Sequence, residues 1–264
     1  MSRKTRKRGR RRLLVIVVLL ALIVFGVFAR GLLTSGRTTT ERAQRELDTY
    51  AENNDVSLAD YPDVLVQLYA RNPDARDFVR DYPKKKNLTP TIDLSGLAGS
   101  ETVPLLLQWD ERWGYREYNE SVIGLAGCGP TCLSMVVCGL TGETDANPYA
   151  VACYSEEQGY YTPGSGTSWS LMTRGAAHYG LDAARVDVSA DAIADTLAQG
   201  RVIIASMKPG DFTYTGHFIV LTGLDRDGRV RVNDSNSRVN SAKSWDAQVL
   251  VDQMKGAWSY SYNE

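Results

Sequence analysis

Gly127-Cys128-Gly129-Pro130-Thr131-Cys132-Leu133-Ser134-Met135 is the stretch on which the reading of this 264-residue chain turns. Proline is tolerated only in the first turn of a helix, where its missing N–H leaves no bond unmade, so Pro130 sets a helix start beside Cys128. A thiol at that position faces unpaired backbone N–H groups and the positive end of the helix dipole, and both favour thiolate. Gly127 and Gly129 leave room for a substrate carbonyl to approach. Cys132, one turn deeper among Leu133, Met135, Val136 and Val137, reads as a small buried hydrophobe. Cys128 is therefore the candidate nucleophile.

From this helix, expected over residues 129–139, the chain continues with a second helix starting at Asn147-Pro148. A third starts near Ser168 and ends before Gly180, and a fourth covers residues 190–199. Strands are expected at residues 202–204, 218–222 and 229–233, the last two joined by the turn Asp225-Arg226-Asp227-Gly228. Helices first and an antiparallel sheet afterwards make an α+β domain, expected over residues 103–264.

A cysteine nucleophile needs a base, and the chain has two histidines. His178 sits near a helix C-terminus, where an imidazole is commonly a dipole partner only. His217 opens the strand His217-Phe218-Ile219-Val220-Leu221. If Asp225 faces Gly228 across a two-residue turn, Leu221 lies opposite Val232 and Ile219 opposite Asp234, which puts Asp234 diagonal to His217. A bulged turn shifts this register by one. His217 and Asp234 are thus candidates for base and orienting carboxylate.

Four cysteines also allow a disulfide reading, in which Cys138 and Cys153, on successive helices, are the one pair considered. Cysteine spacing and the shortage of histidine argue against structural zinc, and no metal or cofactor is expected.

The N-terminal region has a different character. Residues 1–12 hold eight basic side chains and Arg30 makes nine within residues 1–30, which hold no acid. With those nine set apart, 21 basic residues face 31 acidic ones, a formal −10 on the remainder. Residues 13–29 form an uncharged apolar run of about 26 Å as a helix, and counting on to Leu33 reaches the ~30 Å of a bilayer core. This predicts a cytoplasmic basic tail (1–12), a transmembrane signal anchor (13–33) and an extracellular body. A cleaved signal peptide, with Val27-Phe28-Ala29 near its cleavage site, is the competing reading. Residues 34–102 are expected to hold membrane-proximal helices and a linker. Asn72 caps a helix opened by Pro73, and the apolar stripes are Val64, Leu65, Leu68 and Tyr69, then Phe78, Val79 and Tyr82. Spacer and docked brace both remain open for this segment. The acidic body argues against nucleic-acid partners.

Several pieces taken together resemble the bacteriocin-processing (double-glycine leader) cysteine peptidases and their stand-alone relatives. They are Val103-Pro104 running to Gln108, the Gly127–Met135 stretch, Gly216-His217-Phe218-Ile219-Val220-Leu221-Thr222-Gly223, and Val232-Asn233-Asp234. The resemblance covers residues 103 onward. It implies a papain-like fold with Cys128 as nucleophile, His217 as base and Asp234 orienting the imidazole. It also implies that the Gln108 amide joins the Cys128 N–H in an oxyanion hole; the sequence alone gives Gln108 no such role. Two departures stand out: no ATPase accompanies the domain, and Ser235 follows the aspartate where such proteins often carry proline. The implied substrate is a peptide or a cell-wall peptide. Two alternatives are a papain-like shell that binds peptides or a partner without catalysis, and a wall amidase of another papain-like group. The latter usually shows an Asp-Cys-Ser motif, which Gly127-Cys128-Gly129 does not match. Sequence leaves the oligomeric state open.

Overall fold

The computed structural model describes residues 39–97, 102–164 and 166–262. The expected basic tail and anchor, residues 1–33, lie outside the described residues. Among those described, no helix is long and apolar enough to cross a membrane. The chain divides into two compact units, residues 1–71 and 72–264.

In the first unit, residues 39–52 are helical. Ser57 then caps the 3-10 turn Leu58–Asp60: its hydroxyl accepts from the Ala59 N–H, and Asp60 accepts from the Ser57 N–H. Helix α1 follows, Asp63–Arg71, burying Leu65, Val66 and Tyr69. Val64, expected on the buried stripe, is instead exposed. The buried face is turned by one residue from the expected one.

In the second unit, Asn72 caps the turn Pro73–Ala75 through a bond from the Asp74 N–H, and helix α2, Arg76–Lys85, follows. These residues dock as a brace. Phe78 stacks on Tyr115 with ring centroids 4.5 Å apart, and the Tyr115 hydroxyl donates to the Phe78 carbonyl. Lys85 pairs with Glu111 at 2.6 Å, and Asn72 donates to the Asn236 carbonyl at 2.6 Å. The compact unit therefore begins some thirty residues before the boundary expected at residue 103.

The helices that follow include α3 (Cys128–Thr141), α4 (Pro148–Glu157, capped by Asn147), α5 (Arg174–His178) and α6 (Ala190–Ala198, capped by Ser189). The main sheet has six strands: β1 (Asp182–Val186), β2 (Val202–Met207), β3 (His217–Leu224), β4 (Val230–Asn233), β5 (Ser244–Trp245) and β6 (Met254–Ser261). Their spatial order is β1-β6-β2-β3-β4-β5, and every pair is antiparallel. The α+β expectation holds. β1, β5 and β6 were not among the expected strands, yet β6 lies between β1 and β2.

All six residues of β2 are buried because both faces of the sheet are covered. On one face Ile204, Phe218, Val220, Trp258 and Tyr260 pack in one core with Cys132, Leu133, Met135 and Val136 of α3. On the other, Ile203, Ala205, Ile219, Leu221 and Val232 pack with Ile193 and Leu197 of α6. Alternation along β2 and β3 thus feeds two cores, and α3 packs on the sheet through Cys132, Leu133, Met135 and Val136.

The β3–β4 register departs from the sequence argument at the turn and agrees with it near the site. The loop holds three residues, with Asp225 bonded to Arg229 and Gly228 at φ +76°. This makes Leu224 face Val230 and Gly223 face Arg231, one step from the expected pairing. A bulge between Leu221 and Gly223 then restores Leu221 opposite Val232 and Val220 opposite Asn233. Gly223 sits in that bulge at φ +149°, which a side chain would resist. The two offsets cancel.

Candidate active site

Cys128 is the first residue of α3, and the Thr131 N–H bond to the Gly127 carbonyl, 2.9 Å, falls in the helix's first turn. Pro130 therefore lies in that first turn, as its chemistry requires. The flanking glycines serve packing, in contrast to the substrate access expected of them. A Cβ on Gly127 would come within 2.5 Å of Ile123, and one on Gly129 within 2.7 Å of Thr167.

His217, the first residue of β3, is buried, and its Nε2 lies 2.8 Å from Asp234 Oδ1. With Nε2 so engaged, Nδ1 is the ring nitrogen left for the Cys128 thiol, whose titration this imidazole governs. Asp234, one residue past β4, is almost fully buried. Its Oδ1 also accepts from the Asn236 N–H and its Oδ2 from Asn240 Nδ2, each at 2.9 Å. The carboxylate is held from both sides, and with it the plane of the imidazole.

Burial pushes the Cys128 thiol up, but the hydrogen bond and charge of His217, with backbone bonds at Phe218 and Gly129, bring it below its ordinary value. For His217, burial lowers the imidazole, yet the charge and hydrogen bond of Asp234 and the bond to Cys128 raise it to about 10. Asp234 is pushed up by burial and held below its ordinary value by His217, Asn240 and Asn236. These shifts all favour the charged forms, a thiolate beside an imidazolium backed by a carboxylate.

Gln108 is also buried. Its Nε2 donates to the Gly124 carbonyl at 3.0 Å, its Oε1 accepts from the Ser235 hydroxyl at 3.1 Å, and its N–H donates to the Ser235 carbonyl at 2.8 Å. Gly124 lies on the helical turn Ile123–Ala126, just before Cys128. The four residues singled out in the sequence are thus joined through the head of α3 and the β3–β4 end of the sheet. Ser235, Asn236 and Asn240 were not foreseen: each is a small polar residue whose role depends on what it faces.

Elsewhere His178 and Cys132 make local contacts of their own. His178 stacks on Tyr154 at 4.1 Å, and the Cys132 thiol donates to the Phe218 carbonyl at 3.2 Å. All four cysteines are free thiols, so the pair considered for a disulfide, Cys138 and Cys153, is not bridged. No metal-binding cluster occurs among the described residues. Trp109, Trp113 and Tyr115 are buried, with Arg238 over the Trp109 ring, and Tyr214 and Trp169 reach solvent.

These titrations predict selective alkylation. Burial raises Cys132 well above the ordinary thiol value and Cys138 to about 11, so iodoacetamide should label Cys128 ahead of both near neutral pH. The Cys128 rate should rise with pH through a midpoint below the usual thiol range. His217→Ala leaves the burial and removes the stabilising charge, so the midpoint should move up. Peptide mapping of labelled cysteines across pH 5–10 checks this; an unmoved midpoint would refute the ion pair.

An α+β domain with a helix-head thiol against a carboxylate-bound imidazole is a cysteine-peptidase-like module. The family model described as Peptidase_C39 like family matches residues 100–264, and the chain belongs to that family. This is the family read from the four motifs. Among solved structures, the peptidase domain of Streptococcus ComA, a bi-functional ABC transporter involved in a quorum sensing pathway, is similar at 17% identity. The match covers 52% of this chain and 93% of that one, with a TM-score of 0.37. No curated protein matches the chain.

Proposed function

We propose that this protein is a membrane-anchored extracellular cysteine peptidase that hydrolyses a peptide or amide bond. Cys128 Sγ attacks the carbonyl carbon, and the carbonyl π pair moves to oxygen, where Gln108 Nε2 and the Cys128 N–H receive it. As that pair returns, the C–N bond breaks and His217 gives its proton to the leaving amine. Water then attacks the thioester, passes a proton to the imidazole and frees the thiolate. Asp234 holds the imidazole in place and offsets its charge. The substrate class is an extracellular peptide or a wall peptide, with no cofactor and no nucleic-acid partner.

The observation that carries this reading is the 2.8 Å His217–Asp234 bond, which leaves the other ring nitrogen to the thiol at the head of α3. The test is incubation of the detergent-solubilised full chain with a thiol-directed activity probe, followed by mapping of the label. Modification of Cys128, lost in His217→Ala, is the expected result; labelling spread over all four cysteines would sink the proposal.

Anchoring through residues 13–33, with the tail in the cytoplasm, rests on the length of the apolar run and on the charge pattern before it. Protease added to intact cells should degrade the body and spare a short N-terminal tag. Protection of the whole chain would reverse the topology, and release of an untagged form would favour a cleaved signal.

A further inference from the structure

Resting on that reading, we propose that Ser235 is a positioning residue for the oxyanion donor, its hydroxyl holding the Gln108 carboxamide so that Nε2 serves the Cys128 site. A primary amide has two ends of nearly equal shape and opposite hydrogen-bonding sense, and a donor role requires that only one of them face the substrate. The Gly124 carbonyl can only accept, so the group 3.0 Å from it is the Gln108 nitrogen. Oε1 can only accept, so across 3.1 Å the Ser235 hydroxyl must donate. The Cys132 sulfur also lies within reach of this hydroxyl, but a thiol sulfur is a weak acceptor and the amide oxygen a strong one, so the single proton goes to Oε1. Nε2 carries two protons; Gly124 takes one, and the second is what a developing oxyanion receives.

The same serine fixes the backbone of its partner, since the Gln108 N–H donates to the Ser235 carbonyl at 2.8 Å. Ser235 is fully buried and follows Asp234 directly. One loop thus carries both the carboxylate that orients the base and the hydroxyl that orients the oxyanion donor. Movement of that loop displaces both together. A proline at this position would keep the carbonyl contact and lose the hydroxyl.

The test separates chemistry that builds an oxyanion from chemistry that does not. Acetyl-glycyl-glycinal adds Cys128 Sγ to its aldehyde carbon, with the π pair moving to an oxygen in the proposed hole. Iodoacetamide alkylates the same sulfur by displacing iodide, with no oxyanion formed. In the detergent-solubilised full chain, Ser235→Ala should weaken the aldehyde roughly 5- to 10-fold, the scale of one hydrogen bond, and leave the Cys128 alkylation rate within about two-fold. In a Gln108→Ala background, Ser235→Ala should change aldehyde affinity by less than about two-fold, because the two act as one unit. Equal losses in both reactions would mean a merely structural serine, and full additivity with Gln108→Ala would mean an independent role; either overturns the inference. Wild-type protein that binds the aldehyde and alkylates while Ser235→Ala matches it sinks this inference alone. Wild-type protein that does neither sinks the peptidase reading itself.

Discussion

Cys128→Ala and His217→Ala should each reduce hydrolysis by about 10⁶-fold, and the double variant should be no slower than either single one. A nucleophile and its base act as a unit: without the thiol there is no acyl-enzyme, and without the imidazole the thiol is neither ionised nor followed by a proton donor. The burial that raises the Cys128 thiol remains when His217 is removed, so the residual thiol is less reactive than one in water. Cys132 cannot substitute, since it lies a turn deeper, fully buried, with its thiol committed to the Phe218 carbonyl. Steady-state rates on a peptide found by library screening give the comparison. Full activity in His217→Ala, or losses that multiply in the double variant, would refute the unit.

Asp234→Ala is expected to act on both activity and stability. Without the carboxylate the imidazole loses its orientation and the charge that keeps it protonated, and turnover should fall about 10⁴-fold while remaining measurable. Removing one partner of a buried pair costs about 3–5 kcal/mol, because His217 stays buried beside unfilled Asn236 and Asn240 donors. The pH dependence has a definite sign. His217 is raised to about 10 from an ordinary 6.5, so its contribution is complete below 6.5 and lost as pH rises through 10. Asp234 is lowered from 3.8, so its contribution is present above 3.8 and lost as pH falls through its folded value. The stability gap between wild type and variant should therefore be widest between about pH 4 and 6.5 and close on the alkaline side. Denaturant unfolding at several pH values measures it; a gap independent of pH would refute the buried ion pair.

The α+β class, the head of α3 and the candidate pairing of His217 with Asp234 were legible in the residues, because each follows from local chemistry. Proline restricts where a helix begins, an unbroken apolar run marks β3 as a strand buried on both faces, and a short hairpin brings residues 17 apart in the chain together. The turn itself was misread, since Asp-Gly chemistry suits a two-residue loop as well as a three-residue one with glycine in the left-handed region. The register near the site survived only because the bulge before Gly223 compensates. Sequence did not show β6, where Lys255 and Gly256 interrupt the apolar pattern. Its place beside β2 depends on a chain segment some fifty residues away. That residues 72–85 brace the domain and that Ser235 bonds Gln108 became visible only in the folded chain. Serine, asparagine and glutamine carry no periodic signal, and their roles come from the buried partner that folding places within 3 Å.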